Sequence, residues 1–421
     1  MRTQGKWYKL DNAASIVPSA AHGADTRVMR LTCELTEEVD PSALQSALDL
    51  AIAGFPHLLC VLRKGLFWYY LDSRDIRPKA VLESLPALSP LYFEGRKNLL
   101  FRVVYYKRRI NLEIFHVLTD GLGAFAFFKT LIRGYLSIKY GLKFQGIPEE
   151  TASVAEKSAD AFRHYYQKQK GLGQLKTMTA EKAYRLRGER DENLLPHIVE
   201  GTVPAGRVIA EAKAHGVSVG VFTVSVYIAA VIDEMAVKDK IHPVVVSVPV
   251  DLRRYFPSET ARNFFGVINI AFLPADYDGS LESIFKKVKE SFREQLEPEQ
   301  VSRVMNSYEN LEHNIAIKMV PLIFKDMVTG RLNDQAASGV TSTVSNLGVI
   351  RMPEETEPYI EKFCTFMTAP SEQICVVSFR DKMVFGEVSP YKTHEVMLHF
   401  FRRLTKMNIP VELATNDYEE V

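Results

Sequence analysis

The chain has 421 residues, 47% of them hydrophobic and 24% charged, with a formal net charge of +1. Such a length predicts two domains of roughly 150–220 residues each, with the composition of a globular protein. The near-neutral charge offers no case for nucleic acid, which usually demands a clustered basic face.

Met1 to Leu10 is polar and lacks the apolar centre of a signal peptide. Arg27 to Glu38 alternates as a half-buried strand does. Pro41 to Ala53 has helical spacing through Leu44, Ala47, Leu48 and Ile52, with Asp40 placed as its cap and Pro41 in its first turn. Strands follow at Leu58 to Leu62 and Leu66 to Leu71, then a hairpin of Leu100–Lys107 and Ile110–Phe115. His116 comes directly after it, and Leu122 to Tyr140 reads as a long apolar helix. His116 to Asp120 therefore falls at a strand-to-helix junction, where side chains can be presented to a cleft.

From Glu149 to His197 the chain turns polar and rich in Lys, Arg and Glu, as a connector would. Helices are expected at Ala205–His215 and Val219–Ala236. Strands are expected at Pro243–Val250, Phe265–Phe272, Gly339–Ser345, Tyr359–Thr368, Ile374–Arg380 and Lys382–Val388, and a last helix at Thr393–Met407. The most apolar run, Val217 to Ile232, falls short of the ~20 residues a bilayer requires. The four cysteines, Cys33, Cys60, Cys364 and Cys375, have no C-x-x-C pair and read as reduced thiols of a cytoplasmic protein. Mixed strands and helices in both halves predict two α/β sandwiches with mixed sheets. The expected domains are 1–160, a connector over 161–197, and 198–421.

The sharpest local signal is His116-Val117-Leu118-Thr119-Asp120-Gly121. A neutral imidazole is matched to taking a proton from an alcohol or amine near neutral pH. Asp120 either faces His116 or turns away to brace the loop by pairing with an arginine. Gly121 allows a tight turn. The bland alternative is a strand-end histidine bonded to a carbonyl, with Asp120 a plain helix cap. Two more stretches end apolar strands with polar groups and glycine. Val248 to Arg253 is followed by Asn263-Phe264-Phe265-Gly266, and later comes Ser345-Asn346-Leu347-Gly348. Ser345 and Asn346 are candidate donors to an oxyanion, and Arg253 can grip a carboxylate as a fork. Singly, each is an ordinary turn or a solvated arginine.

In this order, HxxxDG, then PxDLR with NxxG, then SNxG resembles the coenzyme A-dependent acyltransferases related to chloramphenicol acetyltransferase. That superfamily includes condensation domains, alcohol acetyltransferases, wax ester synthases and the plant BAHD enzymes. The resemblance implies two α/β domains with a channel between them and His116 midway along it. It implies acyl-coenzyme A as co-substrate, no bound cofactor, and a hydroxyl or amine acceptor deprotonated by His116. Catalytic or near-catalytic positions would be His116, Asp120, Gly121, Ser345 and Asn346. Arg253, Asn263, Gly266 and Gly348 would give structural support, with Arg253 the candidate partner of Asp120. The chain departs from the pattern at Phe115, where condensation domains carry a first histidine, and it lacks the DFGWG motif of the plant enzymes.

Other features read as structure. His394 and His399 do not share a helix face, and His116 and Asp120 have no third ligand at close spacing, which argues against a metal site. No G-x-S-x-G elbow is present. Lys168, Lys170, Lys176, Lys182, Arg185, Arg187 and Arg190 form a cationic cluster, diluted by Glu181, Glu189 and Asp191, that reads as a solvated face or a contact for coenzyme A phosphates or an acidic carrier protein. Phe125, Phe127, Phe128 and Trp68 to Tyr70 read as core. The rival functions are a non-catalytic binding or scaffold protein and a thioester hydrolase.

Overall fold

A computed structural model describes residues 7–143, 152–167, 182–313 and 319–416, apart from the side chains of 307–313. The first domain is built on a five-stranded sheet. β2 (Val28–Leu35), β5 (Ala80–Leu82), β6 (Phe101–Tyr106) and β7 (Arg109–Phe115) supply four strands, and β12 (Ile360–Met367) the fifth, in the order β12-β2-β7-β6-β5. A small sheet of β1 (Trp7–Lys9), β4 (Tyr69–Ser73) and β3 (Cys60–Lys64) lies beside it. Strands β3 and β4 sit two or three residues later than their apolar runs begin, because the Gly65 turn pairs Lys64 with Tyr69.

Two helices cover the five-stranded sheet. Asp40 accepts from the backbone of Ser42 and Ala43, starting the helix Pro41–Ala51 where the sequence places it. The helix Gly121–Tyr140 packs against it and buries Phe125, Phe127, Phe128, Leu131 and Tyr135. That helix ends on Gly141, whose φ of 67° suits a left-handed cap.

The second domain has a seven-stranded mixed sheet in the order β10-β9-β11-β13-β14-β8-β15. Its strands are β8 (His197–Pro204), β9 (Val244–Asp251), β10 (Phe265–Phe272), β11 (Ser342–Val349), β13 (Gln373–Phe379), β14 (Lys382–Ser389) and β15 (Glu412–Thr415). β11 runs parallel to β9 and β13; the other pairings are antiparallel. The helix Val219–Glu234 is buried continuously from Val221 to Ile232, between the helices Leu281–Gln295 and Glu395–Lys406. Among the described residues, no single helix is long and apolar enough to cross a membrane. Between β10 and β11, which the sequence reading leaves unassigned, lie the helices Leu281–Gln295, Pro298–His313 and Leu322–Ser338.

Two differences from the sequence reading matter for the site. β12, read as part of the second half, is hydrogen-bonded to β2, so the later half of the chain completes the first sheet. β11 runs on through Val349, so Ser345-Asn346-Leu347-Gly348 lies inside a strand, at a bulge between Asn346 and Gly348, not in a loop after it. The two sheets are also tied by charge. Glu200 on β8 accepts from Arg109 on β7 at 2.9 Å and from Lys362 on β12 at 2.5 Å. Burial alone would raise the Glu200 pKa, but these two cations offset it and the net shift is downward.

Candidate active site

His116 is fixed by its backbone first. Its N–H donates to the Arg27 carbonyl at 3.0 Å, and Leu118 closes a turn back onto Phe115. The half-buried side chain then meets the second domain. Asn263, just before β10, brings its Oδ1 to 3.0 Å from His116 Nδ1. The Asn263 Nδ2 donates to the His116 carbonyl at 3.2 Å and to Asp11 Oδ2 at 3.4 Å. Both of those partners are acceptors, which fixes the amide's orientation. The oxygen therefore faces the ring, Nδ1 must carry the proton, and Nε2 keeps its lone pair. Burial pushes the His116 pKa below its ordinary value, against the opposing pull of its own backbone and Asp120. The ring of Phe265 lies 5.5 Å from the imidazole, centroid to centroid. The neutral ring thus keeps one nitrogen able to accept a proton.

Asp120 is turned away from His116. Its Oδ1 accepts from Gly123 N at 2.9 Å, capping the helix Gly121–Tyr140, and from Arg253 Nη2 at 3.2 Å. Its Oδ2 accepts from Arg253 Nη1 at 2.9 Å and Phe264 N at 2.8 Å. The fork is bidentate, as guanidinium geometry favours. Arg253 spends its other donors on the carbonyls of Thr260, Arg262 and Phe264 and on Asp251. Burial works against the Arg253 charge, but Asp120 and Asp251 outweigh it and the pKa rises. Asp120 and Arg253 thus clamp the two domains together beside His116. Of the two arrangements open to Asp120, facing His116 or bracing the loop through an arginine, the structure has the second: its lone pairs are committed to Gly123, Arg253 and Phe264.

Three residues of this clamp were not legible beforehand. Asp11, in the N-terminal segment, is buried; besides Asn263 it accepts from Ala14 N at 2.8 Å and Arg262 Nη2 at 3.2 Å. Burial lifts its pKa to about 6, with Arg262 pulling the other way. A lone aspartate in a polar segment carries no signal of this. Thr119 donates to the Ala261 carbonyl at 2.5 Å. Gly123 leaves no room for a side chain: a Cβ there would lie 2.1 Å from the Ala261 oxygen.

The Ser-Asn-Leu-Gly segment reaches the same place through Leu347, whose Cδ2 would be 2.5 Å from a Cβ on Gly121. Val344 points into the second core, so alternation along the strand turns Ser345 to the opposite face, toward the first domain. Asn346 is exposed, and its Oδ1 accepts from Gly348 N at 2.9 Å, bracing the bulge. Gly348 has φ 79°, the left-handed region that favours glycine. Ser345 is half-buried, and the segment meets the loop after His116 through Leu347. Gly266 sits in β10, opposite Val250.

The remaining candidates fall outside the site. Phe115, which stands where condensation domains carry a histidine, is fully buried and stacked on Tyr92. Phe125, Phe127 and Phe128 are core, but Trp68 is 55% exposed, against expectation. Lys182, Arg185 and Arg187 border an open depression with Asp239, His242 and Tyr391; Lys168, Lys170 and Lys176 lie outside the described residues. His394 bonds Glu387 at 2.8 Å, and no group of potential metal ligands occurs among the described residues.

No family model matches the sequence, and no curated protein matches it. Solved structures do. The TRI3 trichothecene 15-O-acetyltransferase of Fusarium sporotrichioides superimposes with a TM-score of 0.63 at 12% identity, over 96% of this chain and 94% of that one. F. sporotrichioides TRI101, in complex with coenzyme A and T-2, gives 0.64 at 11% identity, over 97% and 99%. The first condensation domain of the CDA synthetase gives 0.55 at 14% identity, over 96% and 96%. The chain has the chloramphenicol acetyltransferase-like two-domain fold. Nearly full coverage on both sides means that the chloramphenicol acetyltransferase-like architecture accounts for the whole chain, with no large insertion left over.

Proposed function

We propose that this protein is an acyltransferase that moves an acyl group from a coenzyme A thioester to a hydroxyl or amine acceptor. The observation that carries the reading is the pair of contacts Asn263 makes with His116, from which the tautomer is inferred. Asn263 holds Nδ1 as the donor, so Nε2 is free to accept the acceptor's proton. The deprotonated oxygen or nitrogen then attacks the thioester carbonyl, forming a tetrahedral oxyanion for which Ser345 is the candidate donor. Collapse breaks the carbon–sulfur bond; the thiolate of coenzyme A leaves and takes the proton held on Nε2. Arg253 and Asp120 keep the loop that carries His116 against the second domain throughout.

The fold supports this reading, since TRI101 is seen with coenzyme A and T-2, and TRI3 is a 15-O-acetyltransferase. A binding protein without turnover has no use for a base in a defined tautomer. The test is thiol release from acetyl-, octanoyl- and palmitoyl-coenzyme A with mixed alcohol and amine acceptors. Release should depend on the acceptor and fall by about 10²–10⁴-fold in His116→Ala. Release that survives that substitution would remove His116 from the mechanism, and release without any acceptor would indicate a hydrolase.

A further inference from the structure

The helix Leu322–Ser338 is packed inside out. Buried Leu322 and half-buried Asp326, Gly330 and Asn333 recur at helical spacing on the face turned to the protein. That face is occupied. Asp326 accepts from the Tyr69 hydroxyl at 2.8 Å and pairs with Lys64 at 3.4 Å, and Gly330 passes the Ser19 carbonyl. The opposite face is apolar and open: Ile323, Phe324, Met327, Val328 and Leu332 are each more than half exposed. Exposed Leu66 and Trp68 extend this patch. The turn that carries them is tied to the start of the helix, where Leu322 N donates to the Leu66 carbonyl and Lys325 Nζ to that of Phe67. These seven residues leave roughly 800 Å² open, where the largest apolar patch of a typical monomer is about 300–600 Å².

A face of this size is what one partner contributes to a standard protein–protein interface. Its charge speaks against a lipid surface, which selects helices flanked by basic residues. Lys64 is spent on Glu94 and Asp326, and Lys325 on the Phe67 carbonyl. Arg331 is the helix's one cation with no hydrogen bond or ion pair among the described residues. It lies in the middle of the apolar stripe, and the stripe is complementary to itself. In an antiparallel helix pair about a two-fold axis between Met327 and Val328, Ile323 falls opposite Leu332 of the second copy and Phe324 opposite its Arg331. Each guanidinium then lies over a phenyl ring, so the one charge on the stripe gains a partner. We infer that this protein forms a two-fold dimer through the helix Leu322–Ser338, with the turn of Leu66 and Trp68 at the rim of the interface.

Sedimentation velocity of the full chain at micromolar concentrations should show a dimer. Met327→Asp sets two carboxylates against each other across the axis. It should raise the dissociation constant by about a hundredfold or more, with the far-ultraviolet circular dichroism unchanged. A second variant reads proximity directly. The four native cysteines are buried, so Met327→Cys should cross-link to its own copy on mild oxidation, whereas Leu413→Cys, equally exposed on β15, should not. A monomeric wild type, a dimer that Met327→Asp leaves intact, or equal cross-linking at both positions would overturn the assignment. A monomer that sediments with vesicles of phosphatidylcholine and phosphatidylserine would overturn it in favour of a lipid surface.

Discussion

Asn263 holds His116 at two points, with Oδ1 at 3.0 Å from Nδ1 and Nδ2 at 3.2 Å from the histidine's own carbonyl. The two contacts come from opposite ends of one amide, so ring rotation and tautomer are set together. Asn263→Ala should lower kcat by about 10–10²-fold, a part of what a positioned base supplies, with little change in KM. Asn263→Asp should be no better, because a carboxylate cannot donate to the His116 carbonyl. Steady-state kinetics on both variants checks this. A change confined to KM would mean that Asn263 contacts substrate and does not position the base.

The lowered His116 pKa predicts where activity is lost in acid. A base works only unprotonated, and burial keeps His116 neutral below its ordinary value of 6.5. The acid limb of kcat/KM against pH should therefore have its midpoint below 6.5. A midpoint above that value would show that the contacts with Asn263 and Asp120, which favour the charged imidazole, outweigh its burial.

The Asp120–Arg253 fork should appear in stability before it appears in chemistry. Removing one member of a buried pair costs about 3–5 kcal/mol, since the other charge stays buried. Asp120→Ala also removes the cap of the helix Gly121–Tyr140, worth about 1 kcal/mol. Urea unfolding should show a loss of that size, and Arg253→Lys should recover little because an ammonium cannot bridge both oxygens. Full stability together with lost turnover would instead place Asp120 in the reaction.

The imidazole of His57 gives a pH-dependent test of the fold alone. It is buried beside Phe55, and neither ring nitrogen has a hydrogen-bond partner among the described residues. Burial lowers its pKa to about 3, helped by Arg262 and Lys157. The unfolded chain takes up this proton below 6.5 and the folded one does not, so stability is full above that pH and falls as the pH drops toward 3. His57→Leu should remove the effect. Between pH 7 and pH 5 the unfolding free energy of the wild type should fall by about 2 kcal/mol relative to the variant. Parallel curves would show that His57 titrates normally.

Much of this was legible because it was local. The Asp40-Pro41 start of the first helix, the β6–β7 hairpin and the junction after Phe115 are written in neighbouring residues. Arg253 was readable as the partner of Asp120 only through the resemblance, because the pairing joins distant segments. What escaped was non-local. Alternation in Ile360–Met367 says which residues are buried, but not which sheet the strand joins. Asp11 acquires its role only when the N-terminal segment folds onto Arg262 and Asn263. Gly123 looks no different from any other helical glycine until Ala261 is laid against it.

That last contact separates packing from propensity. Gly123 and Gly220 both lie in the first turn of long helices. On propensity alone, alanine should stabilise either helix by up to about 1 kcal/mol. At Gly220 the nearest atom to a new Cβ is a Phe292 ring carbon at 3.9 Å, so Gly220→Ala should keep that gain. At Gly123 the Cβ would meet the Ala261 oxygen at 2.1 Å and Thr119 Oγ1 at 2.3 Å. The first of these is backbone and cannot swing aside. Gly123→Ala must push the 261–263 segment away from the helix, and Asn263 moves with it. Thermal unfolding should show a large loss for Gly123→Ala and a small gain for Gly220→Ala. If Gly123→Ala folds at all, its residual turnover should resemble that of Asn263→Ala, since both release the same side of the imidazole. Wild-type turnover in that variant would mean that the close approach of the two domains at Ala261 is not what holds His116 in place.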